Sequence, residues 1–206
     1  MPLRKTLALL AAAAALAGVA LQFEAFRSRM GEFGAAAVLW RLLGFFTVLS
    51  NLGAAATGLA VALKPNSVLA APRARLIAAV CVGVAGFVYA VALRGQWRAT
   101  GLWEASDHLM HDASPILFLA LWFAARDGAL AWRDALYVAA APALYFVYAL
   151  ARGAVDGWYA YWFLDPTRQS LPLFVLSAAI LLSVFVAAGL ALIAIDRRLA
   201  KSAIRA

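Results

Sequence analysis

Six long apolar runs divide this chain, and they restrict its fold more than any other feature. The runs are Leu7–Phe23, Ala35–Leu63, Leu76–Leu93, Leu109–Ala125, Ala135–Ala151 and Pro172–Ile195. A membrane-spanning helix needs about 20 mostly apolar residues, and a helix satisfies its own backbone hydrogen bonds in lipid. We therefore predict an all-α fold: a polytopic membrane helix bundle of six transmembrane helices, forming a single domain over residues 1–206.

The composition supports a membrane protein over a soluble one. Of the 206 residues, 66% are hydrophobic and 14% are charged, whereas soluble domains carry about 45–50% apolar and about 25% charged residues. The runs are continuous rather than alternating, which argues against a transmembrane β-barrel. Six helices of about 20 residues occupy about 120 residues, so only short loops remain.

The first run has two readings. Arg4 and Lys5, followed by an alanine-rich stretch, are also typical of a signal peptide. The apolar run continues to Phe23, however, and the Ala-x-Ala patterns lie inside it rather than after it. We therefore expect the first helix to be retained.

The basic residues predict the orientation of the bundle. Both chain ends and the loops that share their side carry most of the Lys and Arg residues, while acidic and basic residues balance on the other side. Because loops rich in Lys and Arg stay in the cytoplasm, we expect both termini to be cytoplasmic, in a bacterial inner membrane. The same distribution accounts for the net charge of +8 without a basic patch interleaved with aromatics, so nucleic acid is not an expected partner.

A first group of polar residues interrupts the second run. Arg41, Gly44, Thr47, Ser50 and Asn51 follow one another at spacings that place them along one face of a helix. Polar groups in hydrocarbon are costly and are functional candidates by default. A hydroxyl such as Ser50 often bonds back to its own helix, but an amide and a guanidinium near a threonine need other partners.

A second group lies where the fourth run begins. Asp107 and His111 are four residues apart, so the carboxylate lies on the face from which it could orient the imidazole. His108 is expected at the interface, bonded to water or backbone, whereas His111 lies a turn deeper. We interpret His111 as the functional histidine.

Depth links the two groups. Thr47 lies about 9 Å beyond Arg41, and His111 about 6 Å beyond Asp107, at 1.5 Å per residue. If both helices enter from the same outer side, Thr47 and His111 reach one level. A hydroxyl beside an imidazole is the minimal nucleophile–base pair, and position alone suggests Asn51 or Arg41 as a donor to an oxyanion.

A third group lies in the fifth run and the loop after it. Tyr148 and Arg152 precede the aromatic segment 156–166, which includes Tyr161. Two readings stay open: an aromatic belt at the membrane interface, or a lid over a lipid-accessible cavity on the outer side.

Three motifs carry a family resemblance over nearly the whole chain. They are Phe-Phe-Thr-Val-Leu-Ser-Asn-Leu at 45–52, Asp-His-Leu-Met-His-x-x-x-Pro at 107–115 and Tyr-x-x-x-Arg-Gly-x-x-x-Gly-Trp-Tyr-x-Tyr-x-Phe-Leu-Asp at 148–165. Together they resemble bacterial six-span membrane proteins of the Pr-six-Pr type. Those proteins look related to the androgen-induced family, whose members hydrolyse fatty-acid esters of hydroxy fatty acids with an intramembrane threonine and histidine.

The resemblance implies that Thr47 is a nucleophile and His111 its base. The chain departs from the bacterial pattern at Ala160 and Trp162, where prolines are expected. Residues 112–114 are also more polar than usual before Pro115. These changes affect the mouth of the expected cavity, so the substrate is the least transferable property.

The leading hypothesis is thus an intramembrane hydrolase of lipid-like esters, and the alternative is a non-catalytic carrier or sensor of a small amphiphile. A structural protein without a ligand is a third reading. A cytochrome is disfavoured because His108 and His111 share one helix, and Cys81 alone cannot build a cysteine metal site. We expect no metal or cofactor, and membrane lipid and a lipid-like substrate as partners.

Overall fold

The computed structural model describes residues 3–96 and 99–205, and within these ranges the chain is helical without any strand. The helices are α1 (Leu3–Arg29), α2 (Gly34–Leu42), α3 (Phe46–Leu63), α4 (Pro72–Val88), α5 (Leu102–His108), α6 (Ser114–Ala125), α7 (Asp134–Asp156) and α8 (Leu171–Arg205). The predicted all-α class is confirmed.

Two of these helices run on through π-helical turns. α4 continues through a π turn at Tyr89–Leu93 and a 3-10 turn at Arg94–Gln96. A second π turn, Leu109–Ala113, joins α5 to α6 without a break. Further 3-10 turns occur at Gly31–Phe33, Val68–Ala70 and Trp162–Leu164. Single π turns inside helices are rare and often occur at functional sites.

Five stretches of the described chain are long and apolar enough to cross a membrane. They are Leu3–Arg29, Phe46–Leu63, Pro72–Gln96, Asp134–Asp156 and Leu171–Ala200. These stretches cover five of the six predicted runs, although α3 covers only part of the second. The fourth run forms α6 and the π turn before it, and α6 alone has 12 residues.

The second apolar run is not one helix, contrary to the prediction from its hydrophobicity. α2 ends at Leu42, and Phe45 adopts an extended conformation before α3 begins. Gly44 lies at the break, where a Cβ would approach the Trp158 ring to 2.7 Å. Arg41 therefore belongs to a different helix from Thr47, and the predicted single polar face does not exist.

The N-terminal helix is a packed element of the bundle. α1 contacts α3, α5 and α6, and its buried face consists of small residues such as Ala8, Ala12 and Ala15. Small side chains let two helix backbones approach closely, as is common between membrane helices. A Cβ on Gly58 of α3 would lie 2.8 Å from the Ala8 carbonyl oxygen.

Charged residues tie the loops together at one end of the bundle. Arg75 pairs with Asp127 at 2.7 Å, and Arg73 pairs with Asp134 at 2.8 Å. The buried carboxylate of Asp196 accepts hydrogen bonds from the backbone N–H groups of residues 128 and 130. This end therefore gathers loops that the sequence assigns to one side of the membrane.

We expect Gly58→Ala to destabilise the bundle and Gly53→Ala to leave it intact. The new methyl group at position 58 would clash with the backbone of α1 and cost about 1–3 kcal/mol. A Cβ on Gly53, in the same helix, meets nothing within 4 Å, so that variant should gain up to about 1 kcal/mol in helix propensity. Thermal unfolding of both variants in detergent tests this expectation, and equal midpoints would contradict it.

Candidate functional site

The structure brings Thr47 and His111 into contact. His111 Nε2 lies 3.3 Å from Thr47 Oγ1, and His111 Nδ1 lies 3.1 Å from the backbone carbonyl oxygen of Asp107. Because a carbonyl only accepts hydrogen bonds, Nδ1 carries the ring proton in this arrangement. Nε2 is then left with its lone pair facing the threonine hydroxyl, which is the arrangement a general base requires.

The π turn at Leu109–Ala113 sets the place of His111. The turn packs closely against a glycine on each of two neighbouring helices. A Cβ on Gly18 of α1 would lie 2.6 Å from Met110 Cγ, and a Cβ on Gly86 of α4 would lie 2.6 Å from the His111 carbonyl oxygen. The backbone around His111 is therefore closely packed against both α1 and α4.

Tyr89 is a site residue that the sequence reasoning missed. Its ring stacks on the imidazole of His111 with centroids 3.7 Å apart and planes 12° from parallel. Its hydroxyl donates a 2.5 Å hydrogen bond to Asp107 Oδ2. A tyrosine placed late in an apolar run was the available signal, since a buried phenol usually finds a partner.

Asp107 contacts His111 mainly through its backbone carbonyl. Its carboxylate Oδ1 lies 3.8 Å from His111 Nδ1, which is beyond hydrogen-bond distance, while its carbonyl oxygen lies at 3.1 Å. The expected carboxylate–imidazole contact is therefore replaced by a carbonyl contact. The carboxylate is instead held by Tyr89 against the same ring.

Thr47 is the second residue of α3, so it stands where that helix has unpaired backbone N–H groups. The Tyr161 phenol from the aromatic loop interacts with the Thr47 hydroxyl and with the backbone N–H groups of Phe46 and Thr47. Burial raises the pKa of Tyr161, so the phenol remains a proton donor at neutral pH. Tyr161 and Thr47 also line the same cavity.

Asn51 and Ser50 both donate hydrogen bonds to backbone carbonyls. The Asn51 amide donates to the carbonyl oxygens of Thr47 at 2.9 Å and Met110 at 3.3 Å. The Ser50 hydroxyl bonds back to the Thr47 carbonyl at 3.0 Å. Asn51 therefore connects α3 to the π turn and helps hold Thr47 at the level of His111.

Tyr148 and Arg152 donate hydrogen bonds at the break between α2 and α3. Carbonyls freed at a helix end need donors, and α7 supplies them: Tyr145 donates to Gly44 at 2.8 Å and Tyr148 donates to Leu43 at 3.1 Å. Arg152 donates to the Tyr148 hydroxyl and to the Trp40 carbonyl. These residues hold the start of α3 in place without touching the Thr47–His111 pair.

His108 lies apart from the pair. Its side chain is exposed, and its Nδ1 lies 2.8 Å from Asp112 Oδ2. Arg94 donates to the other oxygen of the same carboxylate at 2.5 Å. The predicted bond from His108 to water or backbone is therefore wrong, because the Asp112 carboxylate one turn along the chain is its partner.

Thr47 borders an apolar cavity of about 480 Å³ between α4, α7 and α8. Its walls are aliphatic and aromatic, and polar groups are few. They include Val84, Val88, Phe146, Phe163, Val175 and Phe185, with Thr47, Tyr145 and Tyr161 as the hydroxyl-bearing residues. A volume of this size suits a small ligand or part of a lipid chain.

No family model, curated protein or solved structure matches the chain. Within the described ranges, no three His, Cys, Asp or Glu side chains stand together as a metal site would require. The site is therefore defined by its own geometry: Thr47 and Tyr161 line an apolar cavity, and Thr47 also contacts His111.

We expect Tyr89→Phe to lower stability by about 1–3 kcal/mol, because it leaves the Asp107 carboxylate without its buried donor. Because phenylalanine keeps the stacked ring, the loss of stability measures the contribution of the hydroxyl group. Tyr137→Phe is the matched control: Tyr137 is exposed, and the stacking of Arg73 on its ring needs no hydroxyl. Denaturant unfolding in detergent measures both, and an unchanged Tyr89→Phe variant would contradict this account.

Proposed function

We propose that this protein is an intramembrane hydrolase of lipid-like esters, with Thr47 as nucleophile and His111 as general base. The observation that carries the proposal is the 3.3 Å contact between His111 Nε2 and Thr47 Oγ1 at the edge of an apolar cavity. The cavity suits an acyl chain, and the pair suits acyl transfer.

In the proposed reaction His111 Nε2 takes the proton of the Thr47 hydroxyl as Oγ1 attacks the ester carbonyl carbon. The tetrahedral intermediate collapses, the C–O bond to the alcohol breaks, and His111 returns the proton to the leaving oxygen. Water then attacks the acyl-threonine, with His111 again acting as base. This second attack releases the fatty acid and restores Thr47.

The N-terminal end of α3 is a better candidate than Asn51 or Arg41 for stabilising the oxyanion. Asn51 already directs its amide protons to two carbonyls, and Arg41 lies on α2. The N–H groups at the start of α3, outside the intrahelical hydrogen bonds, and the Tyr161 phenol beside Thr47 support this choice, because donors close to the nucleophile can stabilise the charge that develops there. We therefore assign the oxyanion to these donors, with Asn51 as a positioning residue.

The three sequence motifs add support, because the androgen-induced family that they resemble uses a threonine and a histidine at the corresponding motif positions. The lipid-like ester class rests on that resemblance and on the apolar cavity. The replacements at Ala160 and Trp162 lie in the loop that carries Tyr161, so this chain's preferred acyl group is expected to differ.

We expect Thr47→Ala and His111→Ala each to reduce hydrolysis of long-chain acyl esters by about 10²–10⁴-fold, the usual contribution of a positioned acid–base group. Ser50→Ala removes a hydroxyl one turn further along the same helix and should keep most activity. Purified proteins are compared on an ester panel, with thermal unfolding to verify the fold.

Equal rates in wild type and both alanine variants would overturn the Thr47–His111 assignment. No turnover of any ester, with saturable binding of an amphiphile retained, would favour the alternative of a non-catalytic carrier or sensor. A wild-type acyl adduct found on Thr47 by mass spectrometry, and absent from His111→Ala, would strengthen the hydrolase proposal.

We also propose six membrane spans, with both termini in the cytoplasm of a bacterial inner membrane. Besides the five long apolar stretches, the remaining span is the continuous helix from α5 through the π turn to α6, which covers residues 102–125 and is the fourth in chain order. The basic residues of the end that contains Arg73, Arg75 and Arg197 support a cytoplasmic placement for that end.

Cysteine labelling in intact cells tests this topology. Cys81 is the chain's one cysteine, so Cys81→Ala gives a background free of thiols. In that background Thr167→Cys should react with a membrane-impermeant maleimide from outside, and Asn66→Cys should react only after the cells are broken. The reverse pattern would invert the orientation, and equal labelling of both would contradict the number of spans between them.

A further inference from the structure

Two arginines lie close together at the break between α2 and α3. Arg41 stands over the Trp158 ring at 4.4 Å, and Arg152 lies 5.8 Å from the same ring and 4.1 Å from the ring of Trp40. The Arg152 side chain is only 3% exposed. Two guanidinium groups thus share one aromatic platform.

The group carries more positive than negative charge. Asp156 is the nearby acid, and it lies 3.8 Å from Arg152 Nε. Its carboxylate already accepts hydrogen bonds from Trp40 Nε1 at 2.7 Å and from the Trp158 backbone N–H at 3.0 Å. One carboxylate therefore faces two guanidinium groups.

Arg41 has an N–H group that can still donate to a ligand. Its Nη1 is buried, and it has no hydrogen-bond partner within the described part of the chain; the same holds for Arg152 Nε. No described carboxylate forms an ion pair with Arg41. A buried guanidinium N–H without an acceptor is costly, and a bound oxyanion would relieve that cost with charge-assisted hydrogen bonds.

Arg152 lies beside the break that precedes Thr47. A Cβ on Gly44 would lie 2.9 Å from Arg152 Nη1, and Gly44 is three residues before Thr47. Phe45 contacts both Trp158 and Tyr161, with ring centroids at 5.5 and 6.0 Å. A molecule that reaches from the arginines to Thr47 therefore passes along one short stretch of the aromatic loop.

We propose that Arg41, supported by Arg152 on the Trp158 platform, binds the oxyanion headgroup of an amphiphile. With the headgroup at Arg41, an ester group falls near Thr47 and the acyl chain enters the apolar cavity. The headgroup site stands on its own contacts, and only its description as a substrate subsite rests on the proposed hydrolase function.

Binding is measured on purified full-length protein with three probes of equal chain length: dodecyl phosphate, dodecanoate and dodecanol. None of the probes contains an acyl ester, so no turnover accompanies binding. We expect at least one anion to bind about tenfold more tightly than dodecanol. Arg41→Gln should remove that advantage, and Arg41→Lys should retain part of it.

Arg168→Gln is the matched control, because Arg168 is an exposed arginine of the same loop region and pairs with Asp165. It should bind all three probes as the parent does. Thermal unfolding of the Arg41 variants verifies the fold. Tighter binding of dodecyl phosphate assigns a phosphate headgroup, and tighter binding of dodecanoate assigns a carboxylate.

Equal affinity for the anions and dodecanol would overturn the headgroup site, and so would an Arg41→Gln variant whose anion affinity stays within about twofold of the parent's. The hydrolase proposal is judged separately, on Thr47 and His111 in the otherwise native protein. Hydrolysis that does not distinguish anionic from neutral esters would overturn only the role of this site in substrate choice.

Discussion

The whole candidate site depends on how one π turn is held. An α-helix through residues 102–125 would present His111 at a different angle, because one extra residue in a turn rotates the helix before the turn relative to the helix after it. The turn is accommodated because α1 and α4 each offer a glycine where it passes, at Gly18 and Gly86. Close backbone packing therefore supplies the rigidity that a reactive imidazole needs.

The broken helix at residues 43–45 is the second condition. A continuous helix would bury the N–H groups next to Thr47 in intrahelical hydrogen bonds, and the threonine would have only an ordinary helix surface around it. Starting α3 at Phe46 leaves those donors for Tyr161 or for a developing oxyanion. The break is tolerated in the membrane because α7 gives hydrogen bonds to the freed carbonyls, chiefly through Tyr145, Tyr148 and Arg152.

Sequence reasoning succeeded where the position of a residue depends only on its depth along a helix. It failed where the local structure depends on partners far along the chain. Counting residues inward along two helices placed Thr47 and His111 at one level, and the structure has them 3.3 Å apart. The break at Gly44, in contrast, requires side chains more than a hundred residues away, so local apolarity predicted one helix where there are two. The role of Tyr89 depends on how α4 is rotated against α5, which periodicity in a uniformly apolar run does not define. Asp107 was correctly placed beside the imidazole, but the atom that contacts the ring is its carbonyl oxygen.

The polar groups near this site fall into two kinds. Most of them have hydrogen-bond partners within the protein, as the Asn51 amide nitrogen has with two carbonyls. A bundle that needed only to be stable would satisfy or remove every such group, since an unpaired polar atom in an apolar setting costs about 1–3 kcal/mol. Within the described residues, Asn51 Oδ1, Arg41 Nη1 and Arg152 Nε depart from that rule near the start of α3. The His111 lone pair, in contrast, faces the Thr47 hydroxyl. In the two proposals, Arg41 Nη1 binds an anion and His111 takes the proton of Thr47, whose side chain borders the apolar cavity that would hold the rest of the molecule.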